Sequence, residues 1–416
     1  MEVRLLKPEE HGKTRKLWED VFPEDTAAFL DYYYFIKTQN NKIYVIEEDG
    51  EIRSMLQLNP YTLQIGTKKH LCQYVIAVST EKDYRKRGYC RQLLLRSMED
   101  LWQQKEPFVY LMPASAAIYT PYGFRFVYGQ RQAKLCLEPG RTVADLVKNA
   151  EDTENMKVRE ARIADAQQMA ELFDACRELL PNQIQYQVYA LHDAHYYQRM
   201  ILEQQSENGG YLLAFSKKRL VGMFAYSDEG GFEILEPIFL PGYESAFCQA
   251  VRQLGDGRQT EIACYALPES LRLEAEGGKN SETGTKGTET WGIRVQAVEE
   301  KPLIMARLLH LETLLGCLRV KQGEQIRCSF AVIDTLLPQN NRIWRLENEE
   351  GSEEIKVCET EDSQGALPAE VLTEMMFGRK TPEEAEKEEY VIMTDTLKKE
   401  WKKLELLTPV FLNEVV

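Results

Sequence analysis

The 416-residue sequence predicts an α/β (α+β) protein built from more than one domain, and three observations carry that reading. Short apolar runs of strand length alternate with stretches in which apolar residues recur at helical spacing. Asp49-Gly50 joins two of those runs as a hairpin signal. A helix followed by a strand pair occurs near the start of the chain, and the same order begins again at Val158. The length allows about two to three domains. Hydrophobic residues make up 44% of the chain, which supports real cores. No run approaches the roughly 18 apolar residues of a membrane span, so no membrane insertion is expected. Met1–Pro8 has no apolar signal core. Nine cysteines without a C-x-x-C pair argue against a disulfide scaffold and a zinc site. A reduced, cytoplasmic protein without a metal is therefore expected. With 51 basic and 66 acidic residues the net charge is −15. That repels nucleic acid and mildly favours a cationic ligand, while solubility accounts for most of the carboxylates.

Pro8 to Phe22 reads as a helix with Trp18, Val21 and Phe22 on its apolar side. Asp25 to Phe35 follows, ending in the aromatic run Tyr32–Phe35. Strands Lys42–Glu47 and Ile52–Asn59 meet at Asp49-Gly50, and a third, Tyr61–Ile65, turns at Gly66 toward the strand Val75–Val78. An amphipathic helix comes next, with Cys90, Leu93, Leu94, Ser97 and Met98 along one side. Strand and helix meet at Arg85-Lys86-Arg87-Gly88-Tyr89-Cys90, three cations just before a glycine. The first turn of a helix leaves N–H groups unpaired, and the peptide dipoles make that end partly positive. Gly88 has no Cβ to keep an anion from the backbone. The turn reads as a pyrophosphate seat; taken alone it leaves a solvated surface turn equally open. It fits neither a Walker loop nor a G-x-G-x-x-G turn. A strand at Phe108–Met112 and the spacing Tyr-x-x-x-Gly-Phe at Tyr119–Phe124 follow.

The order strand, Arg-x-x-Gly-x-small, helix resembles the acetyl-CoA motif of the GNAT N-acetyltransferases, with Cys90 where that family carries Gly or Ala. The resemblance implies that acetyl-CoA is the acetyl donor. It would be held by Ile76, Ala77 and Val78, by Arg85, Lys86, Arg87, Gly88, Tyr89 and Cys90, and by Ser115. The N–H of Val78 or a neighbour would polarise the thioester carbonyl. Tyr119 matches the family's general acid, which protonates the leaving thiolate. An unperturbed phenol pKa of about 10 leaves it protonated, as an acid must be. A covalent route through Cys90 is disfavoured, since Cys90 would lie under the pyrophosphate and no histidine is placed to activate it.

Residues 141–157 are polar and acidic, a linker with a short helix. The chain then starts over. Val158–Asp165 with Met169, Leu172 and Phe173 resembles a second GNAT opening, and Tyr211–Phe215, Leu220–Tyr226 and Phe232–Phe239 supply strands. Where the cationic turn should fall stands Leu240-Pro241-Gly242-Tyr243-Glu244-Ser245, a glycine with no cations and an acid. This copy is not expected to bind CoA. Glu274–Thr290 is poor in apolar residues and reads as an exposed insertion. From Lys301 a third unit begins, with strands at Gln325–Ile333 and Arg342–Glu347 and helices at Pro368–Met376, Thr381–Glu389 and Asp395–Lys403. It resembles the sterol-carrier-protein-like module. The expected bounds are 1–150, 151–296 and 297–416.

A GNAT domain, a degenerate copy and a sterol-carrier-like unit in that order resemble the Eis (enhanced intracellular survival) family. The resemblance implies acetylation of primary amines on a polycationic acceptor, either an aminoglycoside-like small molecule or a lysine side chain. It implies a homo-oligomer, hexameric in the family. It also implies that the carboxylate of the final residue, Val416, acts as the base that frees the amine. The apolar residues Phe411, Leu412 and Val415 fit a tail that docks. Asp25, Asp31, Tyr32 and Glu414 are candidates for holding a cationic substrate. A CoA-binding regulatory module without turnover, and a lipid-binding protein centred on the third unit, stay open as other functions.

Overall fold

A computed structural model describes residues 2–137, 156–178, 185–228, 232–255, 261–267 and 292–414. The expected insertion at Glu274–Thr290 and most of the expected linker lie outside the described residues. The first unit contributes β1 (Val3–Leu5), α1 (Arg15–Val21), α2 (Ala27–Phe35), β2 (Lys42–Glu48), β3 (Glu51–Ile65), β4 (Lys68–Thr80), α3 (Tyr89–Gln103), β5 (Phe108–Leu111), α4 (Ala116–Tyr119) and β6 (Arg125–Leu137). The first expected helix divides, because Pro8–Thr14 forms a 3-10 turn before α1. The two strands expected on either side of Pro60 are one, β3. Pro60 lies past Leu58, the last β3 residue that pairs with β2, so its missing N–H costs no ladder bond on that side.

Alternation along the strands builds two cores. On one face Tyr44, Ile46, Leu56, Leu58, Val109 and Leu111 pack against Leu93, Leu94, Met98 and Leu101 of α3. On the other, Ile43, Val45, Met55 and Ala77 pack against Leu17, Trp18, Phe29 and Tyr33 of α1 and α2.

The second unit repeats the plan with β7 (Met156–Glu160), α5 (Ala166–Glu178), β8 (Val188–Ala190), α6 (Ala194–Ser206), β9 (Gly210–Ser216), β10 (Arg219–Ser227), β11 (Glu233–Phe239), α7 (Glu244–Gly255) and β12 (Glu261–Tyr265). A long strand, β13 (Ile293–Leu308), runs between β5 and β6. The sheet therefore continues as β1-β2-β3-β4-β5-β13-β6-β12-β11-β10-β9-β7 through both copies. Strand β13 crosses the expected boundary at 296/297. Its exposed middle, Glu299–Pro302, resembles a linker in composition, yet pairing with Gly129–Gln132 of β6 keeps it extended.

The third unit holds a five-stranded sheet that includes Arg327–Ile333, Ile343–Glu347 and Gly365–Pro368, with helices at Ala369–Met376 and Asp395–Trp401. Its last strand, Val410–Phe411, leaves that sheet and pairs in parallel with β8, which itself pairs with β3. Arg307 links the third unit to the first: its Nη2 lies 2.6 Å from the buried Asp334 Oδ1 of its own unit, and its Nε donates to the Tyr122 carbonyl at 3.0 Å. No disulfide joins any of the nine cysteines, all of which are described.

Candidate active site

The site begins with a flaw in a ladder. Met55 pairs with Ser79 and Gln57 with Ile76, so Ala77 and Val78 together stand opposite Leu56 alone. This is a β-bulge, and it holds Ala77 at φ +52°, where a residue with a Cβ is strained. Its methyl packs into the apolar layer under α1 and α2. On its other side β4 pairs with β5 only at Gln73–Val109 and Tyr74–Tyr110. Beyond Tyr74, β4 runs on to Thr80, while β5 ends at Leu111.

Past the bulge a short 3-10 turn, Lys82–Tyr84, leads to the cationic loop. Arg85, Lys86, Arg87 and Gly88 are all exposed. Gly88 takes φ +80° at the start of α3, and nothing lies within 4 Å of where its Cβ would stand. The loop is braced rather than free. Arg85 Nε donates to the Thr80 carbonyl at 3.1 Å, and the Arg87 guanidinium lies 4.5 Å from the Tyr84 ring centre and 3.5 Å from the Glu48 carboxylate. The Tyr89 hydroxyl donates to Glu48 Oε2 at 2.5 Å. Cys90 is half-buried, and burial pushes its thiol up, away from a reactive thiolate.

Tyr119, at the end of α4, is buried in a cluster with Val75, Leu93 and Leu111, against which Val78 and Cys90 also pack. Its ring meets the Phe124 ring at 5.8 Å, edge to face. Burial first, and then Cys90, pushes its phenol up, so the proton stays on at neutral pH. The Tyr-x-x-x-Gly-Phe spacing has a steric cause. Gly123 turns at φ +77°, and a Cβ there would come within 2.7 Å of Arg307 Nε. Ser115 is exposed just before α4, with its carbonyl accepting from the Ile118 N–H at 3.1 Å.

The structure thus brings Val75 and Val78 of the bulge strand, Tyr89 and Cys90 of the loop, and Tyr119 into one apolar cluster. It places the weaker candidates elsewhere. Asp25 accepts from Trp18 Nε1 at 2.6 Å, and burial pushes its carboxyl up. Asp31 is exposed and paired with Arg15 at 2.5 Å. The Tyr32 hydroxyl donates to Glu203 Oε2 at 2.9 Å, beside a buried pair of Lys37 with the same oxygen at 3.1 Å. Tyr32 therefore joins α2 to α6. Glu414 is 1% exposed, with Oε1 at 3.1 Å from His192 Nε2. Val416 lies outside the described residues.

Buried phenols connect the two ends. The Tyr74 and Tyr110 rings stand 5.4 Å apart. Burial chiefly, then Glu414, pushes Tyr110 up, and burial with smaller effects of Tyr61, Tyr119 and Glu414 does the same for Tyr74. The Tyr110 hydroxyl and Glu414 Oε2 have no hydrogen-bond partner among the described residues. Sequence reasoning missed His192 and Glu236, which face Glu414 from the second copy. The one available signal was a carboxylate before Pro237 inside an apolar strand, a pattern that marks a bulge. Among the described residues no group of three His, Cys, Asp or Glu side chains could hold a metal, and no helix is long and apolar enough to cross a membrane.

Comparison with known proteins covers both ends of the chain. Residues 2–127 match the acetyltransferase (GNAT) domain family, and residues 311–411 match the sterol carrier protein domain family. Among solved structures, a probable N-acyltransferase from Enterococcus faecalis V583 superposes with a TM-score of 0.74 at 16% identity, covering 96% of each chain. A GCN5-related N-acetyltransferase from Kribbella flavida gives 0.70 at 16% identity, over 99% of this chain and 97% of that one. Eis1 from Mycobacterium abscessus gives 0.63 at 14% identity, over 97% of each. At these identities the likeness is one of fold. No curated protein matches the chain.

Proposed function

We propose, for a chain that carries a GNAT acetyltransferase domain followed by a sterol carrier protein domain and is an acetyltransferase, that it moves the acetyl group of acetyl-CoA directly onto a primary amine of a polycationic acceptor. The observation that carries the reading is this grouping of residues. A helix start with exposed Arg85, Lys86 and Arg87 and a left-handed Gly88 stands at one end, and the buried, protonated Tyr119 packs against the bulge strand.

The pyrophosphate of the donor would sit on the N–H groups of the first turn of α3, with the three cations around it. The amine nitrogen attacks the thioester carbonyl carbon, and the N–H of Val78 or a neighbour in the bulge takes up the charge on the carbonyl oxygen. As the C–S bond breaks, the thiolate takes the Tyr119 proton. The proton displaced from the amine passes to a carboxylate of the C-terminal segment, and the carboxylate of Val416 is the base proposed. Net charge of −15 favours a cationic acceptor, an aminoglycoside-like molecule or a lysine side chain. The proposal includes a cytoplasmic enzyme working as an oligomer, hexameric by the resemblance, which light scattering would measure.

Thiol release from acetyl-CoA, followed over a panel of aminoglycosides, polyamines and lysine peptides, tests the reading. Turnover on at least one amine is expected, and none on any would overturn it. Appending a few residues after Val416 should lower kcat; full activity would move the base elsewhere.

A further inference from the structure

The second copy keeps the backbone device of the first. Met223 of β10 pairs with Ile238 and Ala225 with Leu235, so Glu236 and Pro237 stand opposite Phe224 alone. This is the bulge of Ala77 and Val78 again, with Glu236 at φ +47° where Ala77 has +52°. Ala77 points a methyl into the layer under α1 and α2; Glu236 points a carboxylate toward the matching layer under α5 and α6. A strained backbone position carrying a largely buried acid calls for a partner.

The partner is His192, just before α6. Its ring is clamped between Phe173 and Tyr196, each with its ring centre 4.0 Å away, and Asp193 caps α6 directly after it. Nδ1 lies 3.2 Å from the Tyr197 hydroxyl and 3.6 Å from Glu236 Oε1, and Nε2 lies 3.1 Å from Glu414 Oε1. One imidazole, held with little freedom to turn, therefore faces two carboxylates from distant parts of the chain.

The segment that ends at Glu414 is anchored in the same place. Val410 and Phe411 pair with Val188 and Tyr189 of β8, Gln187 N donates to the Pro409 carbonyl at 2.8 Å, and Phe411 stacks on Tyr186 at 4.9 Å. Asn413 Oδ1 accepts from the Tyr128 hydroxyl and Gln130 Nε2, both at 3.1 Å.

We propose that His192 and Glu236 are positioning residues, forming a socket in the second copy that fixes Glu414 and so holds the C-terminal segment against the catalytic unit. The copy that lost the cofactor turn keeps its bulge to hold this tail. Glu236 faces His192, Glu414 and the phenols of Tyr128, Tyr196, Tyr197 and Tyr211. Burial keeps all four phenols protonated. Burial, opposed by His192 and reinforced by Glu414, raises Glu236 to about 7. Above that pH Glu236 adds a buried negative charge, which loosens the socket.

Amide hydrogen exchange of the full chain, read on the peptide spanning Val410–Glu414 and corrected for intrinsic rates, tests the socket. Wild type should lose protection there as pH rises through about 7. E236Q, which imitates the protonated acid, should keep protection across that range. H192Q should lower protection about tenfold by removing the hydrogen bond to Glu414. Equal protection in H192Q and wild type, or a wild-type profile that E236Q shares, would overturn the inference. Circular dichroism melts check that each variant folds, and E236Q keeps the test open if H192Q does not. A kinetic arm rests on the proposed acetyl transfer: H192Q should lower kcat and leave KM for acetyl-CoA unchanged, since the donor seat is in the first copy. If no amine is acetylated, that reading fails while the exchange data still decide the socket.

Discussion

The two copies share a backbone and differ in what stands on it. Each has a bulge one strand before a parallel neighbour, a left-handed residue at the bulge, and a left-handed glycine ahead of a helix. In the first copy Gly88 opens onto solvent among three exposed cations. In the second, Gly242 also has open space at its Cβ position, but it is flanked by Pro241 and Tyr243, and its N–H points to Glu244 Oε1 at 3.4 Å. The protein's own carboxylate stands where an anion would otherwise bind. A bulge, a glycine and a helix start make an anion seat available; the side chains around them decide whether a ligand or the chain itself takes it.

Substitutions at matched positions sharpen this contrast. The largest effect is expected at Tyr119, since the second copy has no acid in a corresponding role in the proposed reaction. Y119F should lower kcat about a hundredfold or more in a thiol-release assay while KM for acetyl-CoA holds. Next is the bulge acid. Glu236 has a folded pKa of about 7, above its ordinary 4.5, so wild-type stability falls as pH rises from the lower value through the higher. E236Q should therefore match wild type near pH 5 and be more stable by up to about 3 kcal/mol at pH 8 to 9 in thermal melts. The glycines come third. G88A and G242A place a Cβ at the same left-handed conformation, and each should cost about 1 kcal/mol of stability. Only G88A should raise KM for acetyl-CoA several-fold; an equal rise in both would mean the copies are not distinct. The smallest effect is expected for E244Q, about 0.5 kcal/mol or less from the lost charge at a helix start, with no acetyl-CoA binding gained.

Much of the first unit was legible because its signals are local. Asp49-Gly50, the stripe Leu93, Leu94 and Met98, and the cations before Gly88 are each contained in a few residues, and the structure places them together. The spacing at Tyr119 was legible too, though its cause was not: Gly123 is needed because Arg307, from a strand far along the chain, passes beneath it. Strand β13 could not be read in the same way. Its middle, Glu299–Pro302, is exposed and polar and stays extended only through the ladder with β6. Asp31 and Tyr32 looked available for an acceptor because their partners, Arg15 and Glu203, become neighbours only on folding. His192 and Glu236 form no motif and meet Glu414 only when the second and third units come together. Local chemistry reads forward from sequence; long-range partnership does not.

The claim that one copy is live and the other is not can be tested by the stoichiometry of acetyl-CoA binding, measured by isothermal titration calorimetry on the full chain. One acetyl-CoA per chain is predicted, lost in R85E/R87E and kept in E244Q. Two per chain, or one that survives the charge reversal at Arg85 and Arg87, would contradict it.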